Sequence, residues 1–256
     1  MPLNTMNLAA PIDSALPWTH RIALGAEPDY RSVTVNGYNG AAPTTGEYLW
    51  PITGTAPVFS ATAIITKISS ADVNDDKDDA AGAWTVEVVG LDLAGNELTQ
   101  VATLEGQTAA TITGLWRVNS MRVLTAGTST YNQGIIYAGS GTVTSGVPAV
   151  KNAVIPATLN ASTNGFYTIP KGYRGLVTGL RWEASAAGDI QLYTRAAGEA
   201  FALQRRVLAP ATVISGETRF DVPILVPALG DIALKGASAA STIVAAASFD
   251  VILCPV

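Results

Sequence analysis

The sequence predicts an all-β protein: antiparallel β-sandwich or jelly-roll-like modules behind an extended N-terminal arm. Three observations carry this. Apolar residues alternate at period two in many short runs. Turn formers punctuate those runs throughout, with 24 Gly and 14 Pro. No apolar stripe of helical period runs beyond about two turns. Length and composition agree with the prediction. A chain of 256 residues, 48% of them hydrophobic, suffices for one large β domain or two ordinary ones.

Residues 1–48 read as the arm. Pro2, Pro11, Pro17, Pro28 and Pro43 interrupt them, and only Tyr30 to Val35 looks like a short strand. Trp18, Tyr30, Tyr38 and Tyr48 supply apolar anchors, as in a segment that lies along its own domain or a neighbour.

Residues 49–150 read as a first β-sandwich module. Phe59 to Ile68 is a strand candidate, followed by an acidic loop from Asp72 to Asp79. The clearest hairpin comes next. Trp84, Val86 and Val88 alternate with Thr85, Glu87 and Val89; Leu98, Gln100, Ala102 and Leu104 then alternate with Thr99, Val101 and Thr103. Between them, Gly95 and Asn96 both tolerate positive φ and mark the turn. Further strands are expected at 110–118, 121–125 and 134–138, and Pro148, Lys151 and Pro156 suggest a linker or a long connection.

Residues 151–256 read as a second, jelly-roll-like module. Leu176, Thr178, Leu180 and Trp182 are expected to share one face and Arg181 and Glu183 the other. Pro223 and Pro227 flank Ile224 to Val226, which suits an edge strand. The last strand is the most regular: Ile243, Ala245, Ala247, Phe249, Val251 and Leu253 share one parity.

Charge restricts the function classes. Charged residues make up 14% of the chain, against roughly a quarter in an average soluble protein. A surface so poor in charge predicts that part of it is hidden against other subunits. The net charge of −5 disfavours nucleic acid. Arg205-Arg206 is the one adjacent basic pair, and strand alternation splits it between faces. The N-terminus lacks the pattern of a secretory signal, and no apolar run approaches the roughly 18 residues that span a membrane. Cys254 is the single cysteine, so no internal disulfide or zinc site is expected, in keeping with folding in a reducing cytosol.

Candidate chemistry is sparse. Asp72, Asn74, Asp76 and Asp78 place oxygens at alternate positions, like the start of a calcium loop. Lys77 then stands where glycine is needed and Ala83 where a bidentate Glu belongs, so a solvated loop tip is the competing reading. No other metal or cofactor site is expected. His20, the sole histidine, lies in the arm far from Cys254 in sequence, and nothing suggests a nucleophile–base pair. Glycosidase-type carboxylate pairs remain open, with Glu87, Asp92, Glu97, Glu183, Asp189 and Asp250 available. Solvation or a neighbouring Arg or Lys explains each of these as well. Trp50, Trp116, Trp182 and Tyr193 are sugar-stacking candidates, although core packing is the commoner fate of a strand Trp.

Two stretches resemble a known family. The first joins WTVEVVGLDLAGNELTQVATLEGQTAATITGLWRVNSMRV to AGTSTYNQGIIYAGSGTVTSGVPA. The second joins YTIPKGYRGLVTGL, IQLYTRAAGEAF and PILVPALGDIALKGASAASTIVAAASFDVIL. Together they are similar to virion structural proteins of tailed bacteriophages of the podovirus type, over roughly Leu49 to Leu253. The resemblance implies a head decoration (cement) or head-fibre protein, without enzymatic activity and without transferable catalytic residues. It implies assembly in the host cytoplasm, location in the virion, the major capsid protein as partner, and a homo-oligomer, expected to be a trimer. A tail or fibre protein that binds a host glycan is the alternative, and a glycan depolymerase the third possibility.

Overall fold

The computed structural model describes residues 16–59, 65–79, 81–211 and 215–256. It is almost entirely antiparallel sheet, as the sequence predicts. The arm's first fifteen residues lie outside the described residues, as do 60–64 of the first strand candidate.

The first sandwich packs the sheet β6-β3-β8-β9 (Ala110–Leu115, Ile65–Ser70, Ile136–Thr144, Val147–Ile155) on the sheet β5-β4-β7 (Glu97–Thr103, Ala83–Leu91, Arg117–Ala126). Ile68, Val86, Val88, Leu115 and Ile136 fill the space between them, and Trp50 enters from the chain just upstream. The β4–β5 hairpin pairs Thr85 with Thr103 through Leu91 with Glu97. Its turn works differently from the expected pair of positive-φ residues. Gly95 alone carries positive φ there, +85°. Asn96 instead donates its N–H and Nδ2 to the Asp92 carboxylate at 2.9 and 3.0 Å. These bonds hold the Asp92 pKa below the ordinary carboxylate range.

The expected linker around Pro148 is strand β9. Pro148 pairs with Val143 on a strand that has a neighbour on one side only, where a missing N–H leaves no ladder bond unmade. Proline and lysine hid this strand because they break an alternation that an edge does not require.

The second sandwich packs the sheet β1-β16-β11-β14 (Arg31–Ala42, Ile243–Pro255, Tyr173–Ala184, Ser215–Val226) on the sheet β10-β15-β12-β13 (Phe166–Thr168, Asp231–Ser238, Gly188–Arg195, Ala202–Ala209). The short strand β2 (Glu47–Tyr48) pairs with β15. Val177, Leu180, Phe249 and Val251 meet Ile190, Leu192, Ile232 and Leu234 in one core. The parity expected for β16 is observed, and β14 is an edge, as its prolines suggest.

Residues 31–42, placed in the arm by the sequence, form a twelve-residue strand paired with β16 from Arg31–Leu253 to Ala42–Ile243. Two inward positions of β1 concealed it. Gly37 faces the core, where a Cβ would lie 2.7 Å from the Gly165 Cα and from the Leu49 carbonyl oxygen. Asn39 is fully buried, donates Nδ2 to Glu47 and to the Tyr48 carbonyl, and accepts from the Ala41 N–H. A glycine and a satisfied asparagine on the core face erase the apolar alternation that marks a strand. Upstream, the single helix among the described residues, α1 (Trp18–Ala23), seats Ile22 against Ile252 and Cys254 on the outer face of the same sheet.

Candidate functional site

The sandwiches meet at β10 and β15, whose Phe166 and Ala233 enter the first sandwich's core. Asp231, Ala233 and Lys235 alternate outward from β15, away from the core that takes Ile232 and Leu234. Ala233 and its neighbour Phe166 are buried in the first sandwich's core instead. The centre of this junction is the Asp231 carboxylate, 1% exposed. Arg195 Nε donates to Oδ2 at 2.7 Å, and Thr168 Oγ1 donates to Oδ1 at 2.6 Å. Arg117, on the first sandwich, reaches Oδ1 at 3.4 Å. Next to it, Asn119 Nδ2 donates to the Thr168 carbonyl while Asn119 Oδ1 accepts from the Thr168 N–H, both at 2.9 Å.

One carboxylate faces two guanidiniums here, and aromatic rings lie against both. The Arg195 guanidinium lies 4.4 Å from the Phe201 ring centroid and 5.2 Å from that of Phe59. Arg117 lies 4.0 Å from the Trp116 ring centroid. Burial pushes the Arg117 pKa down, and Asp231 opposes that shift. Sequence analysis missed this cluster. Arg117 and Asp231 are 114 positions apart, and each stands at a strand terminus, where a charge needs no explanation.

The acidic loop is built around a residue that the calcium reading passed over. Asp75 is fully buried. Its Oδ2 accepts from Ser70 Oγ at 2.5 Å and the Gly134 N–H at 2.9 Å; Oδ1 accepts from the Ala83 and Gln133 N–H groups, both at 2.8 Å. Asp72 Oδ1 accepts from the N–H and Nδ2 of Asn74, both at 2.9 Å. Asp76 Oδ1 accepts from the Asp78 N–H, and Asp78 pairs with Lys77. The four proposed oxygen ligands therefore shape the loop's own turns. Among the described residues no group of three or more His, Cys, Asp or Glu side chains gathers as a metal site.

The other candidates disperse. His20 is exposed on α1. Cys254 packs under that helix against Ile22, and burial raises its pKa, the opposite of an activated thiolate. Glu87 pairs with Arg122, Glu97 with Arg31, Asp189 with Arg206 and Asp250 with Arg181. Trp50 and Trp182 are buried, while Trp116 and Tyr193 are half-buried.

Among the concavities lined by polar side chains, two lie on the first strand and its neighbours. A cleft of about 250 Å³ separates the sandwiches at the Arg31–Glu97 pair, with Asn119, Asn164 and Tyr167 on its walls. An open trough of about 480 Å³ crosses the outer face of β1-β16-β11-β14. Its floor follows the register: Asn36, Ser248, Arg181 and Glu217 form one rung, and Tyr38, Ala246, Glu183 and Ser215 the next. Tyr38 is exposed at its rim. None of the sugar-stacking candidates except Trp182 lines this trough, and that ring belongs to the core.

No helix among the described residues is long and apolar enough to cross a membrane. No protein-family model and no curated protein matches the chain. Among solved structures, the chain is similar to a structure of infectious bursal disease virus, Gx strain, at 11% identity and a TM-score of 0.23, covering 88% of this chain and 71% of that one. It is also similar to the VP2 subviral particle of infectious bursal disease virus, at 10% identity and a TM-score of 0.20, covering 93% and 77%. Likenesses at this level assign neither a topology nor a role.

Proposed function

We propose that the chain is a virion structural protein of a tailed bacteriophage, a capsid decoration (cement) protein that stabilises the head through contacts between subunits. Its working form is a homotrimer seated on the major capsid protein, assembled in the host cytoplasm, without nucleic acid, membrane or enzymatic activity in its role. The observation that carries this reading is the junction. Two sandwiches are joined through a buried, fully engaged carboxylate, which suits a rigid strut that must span neighbouring capsomers. The low charge content and the ion-paired state of most strand carboxylates also support building material over a reaction centre. The order of strand and turn motifs that resembles podovirus virion proteins supports the phage assignment.

The test is to add the purified chain to heads that lack it and to heat them. Bound chain and a raised temperature of genome release are expected. Absence of the chain from purified virions, or heads indifferent to it, overturns the proposal.

A second reading has one observation in its favour. Exposed Tyr38, flanked in the trough by Asn36, Arg181 and Glu183, offers a ring face and hydrogen-bonding groups to a host glycan, as a tail or fibre protein requires. Glycan-array binding that disappears in Tyr38→Ala supports it, and an empty array removes it.

A further inference from the structure

We propose that the double edge formed by β13 and β14 is where copies of this chain meet, with β13 of one copy against β14 of the next. This names the contact surface for the homo-oligomer of the preceding section and rests on the oligomeric part of that reading. Each of the two strands ends its sheet, and a short connection joins them in sequence. They also touch across the mouth of the sandwich, where the Arg205 guanidinium lies 5.3 Å from the Phe220 ring centroid. Along both strands only Ala209, Phe220 and Val226 are buried. Apolar side chains nevertheless stand in the open: Leu208 is 66% exposed, Val222 77%, and Leu225 59%. A run such as Val222 to Leu229, free of charge and rich in aliphatics, has the composition of a covered strand.

The charges say which partner fits. Arg206 is paired with Asp189 and Glu217 with Arg219, so the charge left to β13 is Arg205 and the charge left to β14 is Asp221. A copy docked β13-to-β13 sets Arg205 against its own counterpart. A copy docked β13-to-β14 sets it against Asp221. Both edges lie on one side of the sandwich, as the Arg205–Phe220 contact shows, so one face of each copy offers both halves of this unlike contact. The contact is made by side chains. Between the Val177–Ile224 and Gly179–Arg219 pairs β14 bulges, and Pro223 inside the bulge offers no N–H to a foreign strand.

The experiment uses the purified full chain, with mass measured by light scattering and sedimentation at micromolar concentration. A closed oligomer is expected. Leu208→Asp and Val222→Asp each weaken association by about tenfold or more. Both side chains are exposed in the single chain, so melting of the variant monomers matches wild type at concentrations where wild type is also dissociated. Leu93→Asp, on the equally exposed β4–β5 turn, leaves the oligomer intact. Mixing the Leu208→Asp and Val222→Asp chains restores a one-to-one pair, because one unmodified β13 then meets one unmodified β14. A monomeric wild type, an oligomer indifferent to both substitutions, or a mixture that stays monomeric overturns the proposal. None of these outcomes depends on virions, so failure here and failure of the capsid reading are separable.

Discussion

The seven strands of the first sandwich all come from residues 65–155, so every pairing in its sheets closes within that stretch. The second sandwich draws β1 and β2 from before that stretch and β10 to β16 from after it. Its central strand β16, the last in the chain, lies between β1 and β11. The first sandwich is thus an insertion in the second. Local pairing closes early and at a small loop entropy, whereas the Arg31–Leu253 pairing must close almost the entire chain. Each sandwich compensates for this history in its own place: the first with a carboxylate that ties its loops, the second with a carboxylate that ties it to the insertion.

Breaking the tie at the junction has the largest expected effect. Asp231→Ala takes from Arg117 and Arg195 the buried carboxylate that they share across the junction, which costs about 3–5 kcal/mol. Calorimetry should then show two separated unfolding transitions where wild type shows one, because the sandwiches lose their coupling. A single transition shifted as a whole means that the packing of Phe166 and Ala233 suffices to couple them.

Asp75→Asn comes next and acts on the first sandwich alone. Both carboxylate oxygens accept two hydrogen bonds, so an amide turns an –NH2 toward two donors whichever way it is placed. A loss of about 2–4 kcal/mol follows, together with faster proteolysis in residues 72–79. Equal destabilisation of both sandwiches contradicts the local role.

These two carboxylates also mark how far the sequence is legible. Period-two alternation reveals β4, β5, β11 and β16, yet it misassigns the start of β11: a bulge between Val177 and Gly179 puts Val177 in the core and turns Leu176, expected beside Leu180 and Trp182, outward against Ile252 and Cys254. It loses β1, where Gly37 and Asn39 face inward, and β9, where an edge tolerates Pro148. The trimming charges of strands read correctly as partners of nearby opposite charges, as Asp250 with Arg181 demonstrates. Asp75 and Asp231 do not read at all. Asp75 hides among acidic neighbours that are solvated, and the arginines of Asp231 come from strands whose proximity only the tertiary fold creates.

Alkaline pH separates the sandwiches more gently. Burial raises the Tyr167 pKa well above the ordinary phenol range, with Glu97 adding and Arg31 opposing. The folded chain thus keeps a proton that the unfolded chain loses near pH ~10. Its contribution is complete below that value and declines as pH rises beyond it, by up to about 1.4 kcal/mol per pH unit. Tyr137, in the first sandwich, shifts in the same direction through burial alone. Denaturant unfolding at alkaline pH should therefore flatten more in Tyr167→Phe than in Tyr137→Phe. The reverse order places the pH-sensitive core in the first sandwich.

The smallest effect is expected at the wet rim of the junction. Arg31, on β1, and Glu97, on β5, join the two sandwiches through bonds of 2.7 and 3.0 Å, yet their side chains are 43% and 38% exposed. Water and salt screen such a pair, so a double-mutant cycle should give a coupling of about 0.5 kcal/mol or less, fading in high salt. The same bridging topology built at Asp231 is dry, and there the coupling should persist in salt. A strong, salt-resistant Arg31–Glu97 coupling would mean that the cleft behind the pair closes in solution, and the second sandwich would then be held to its insertion along a whole seam and not at one buried point.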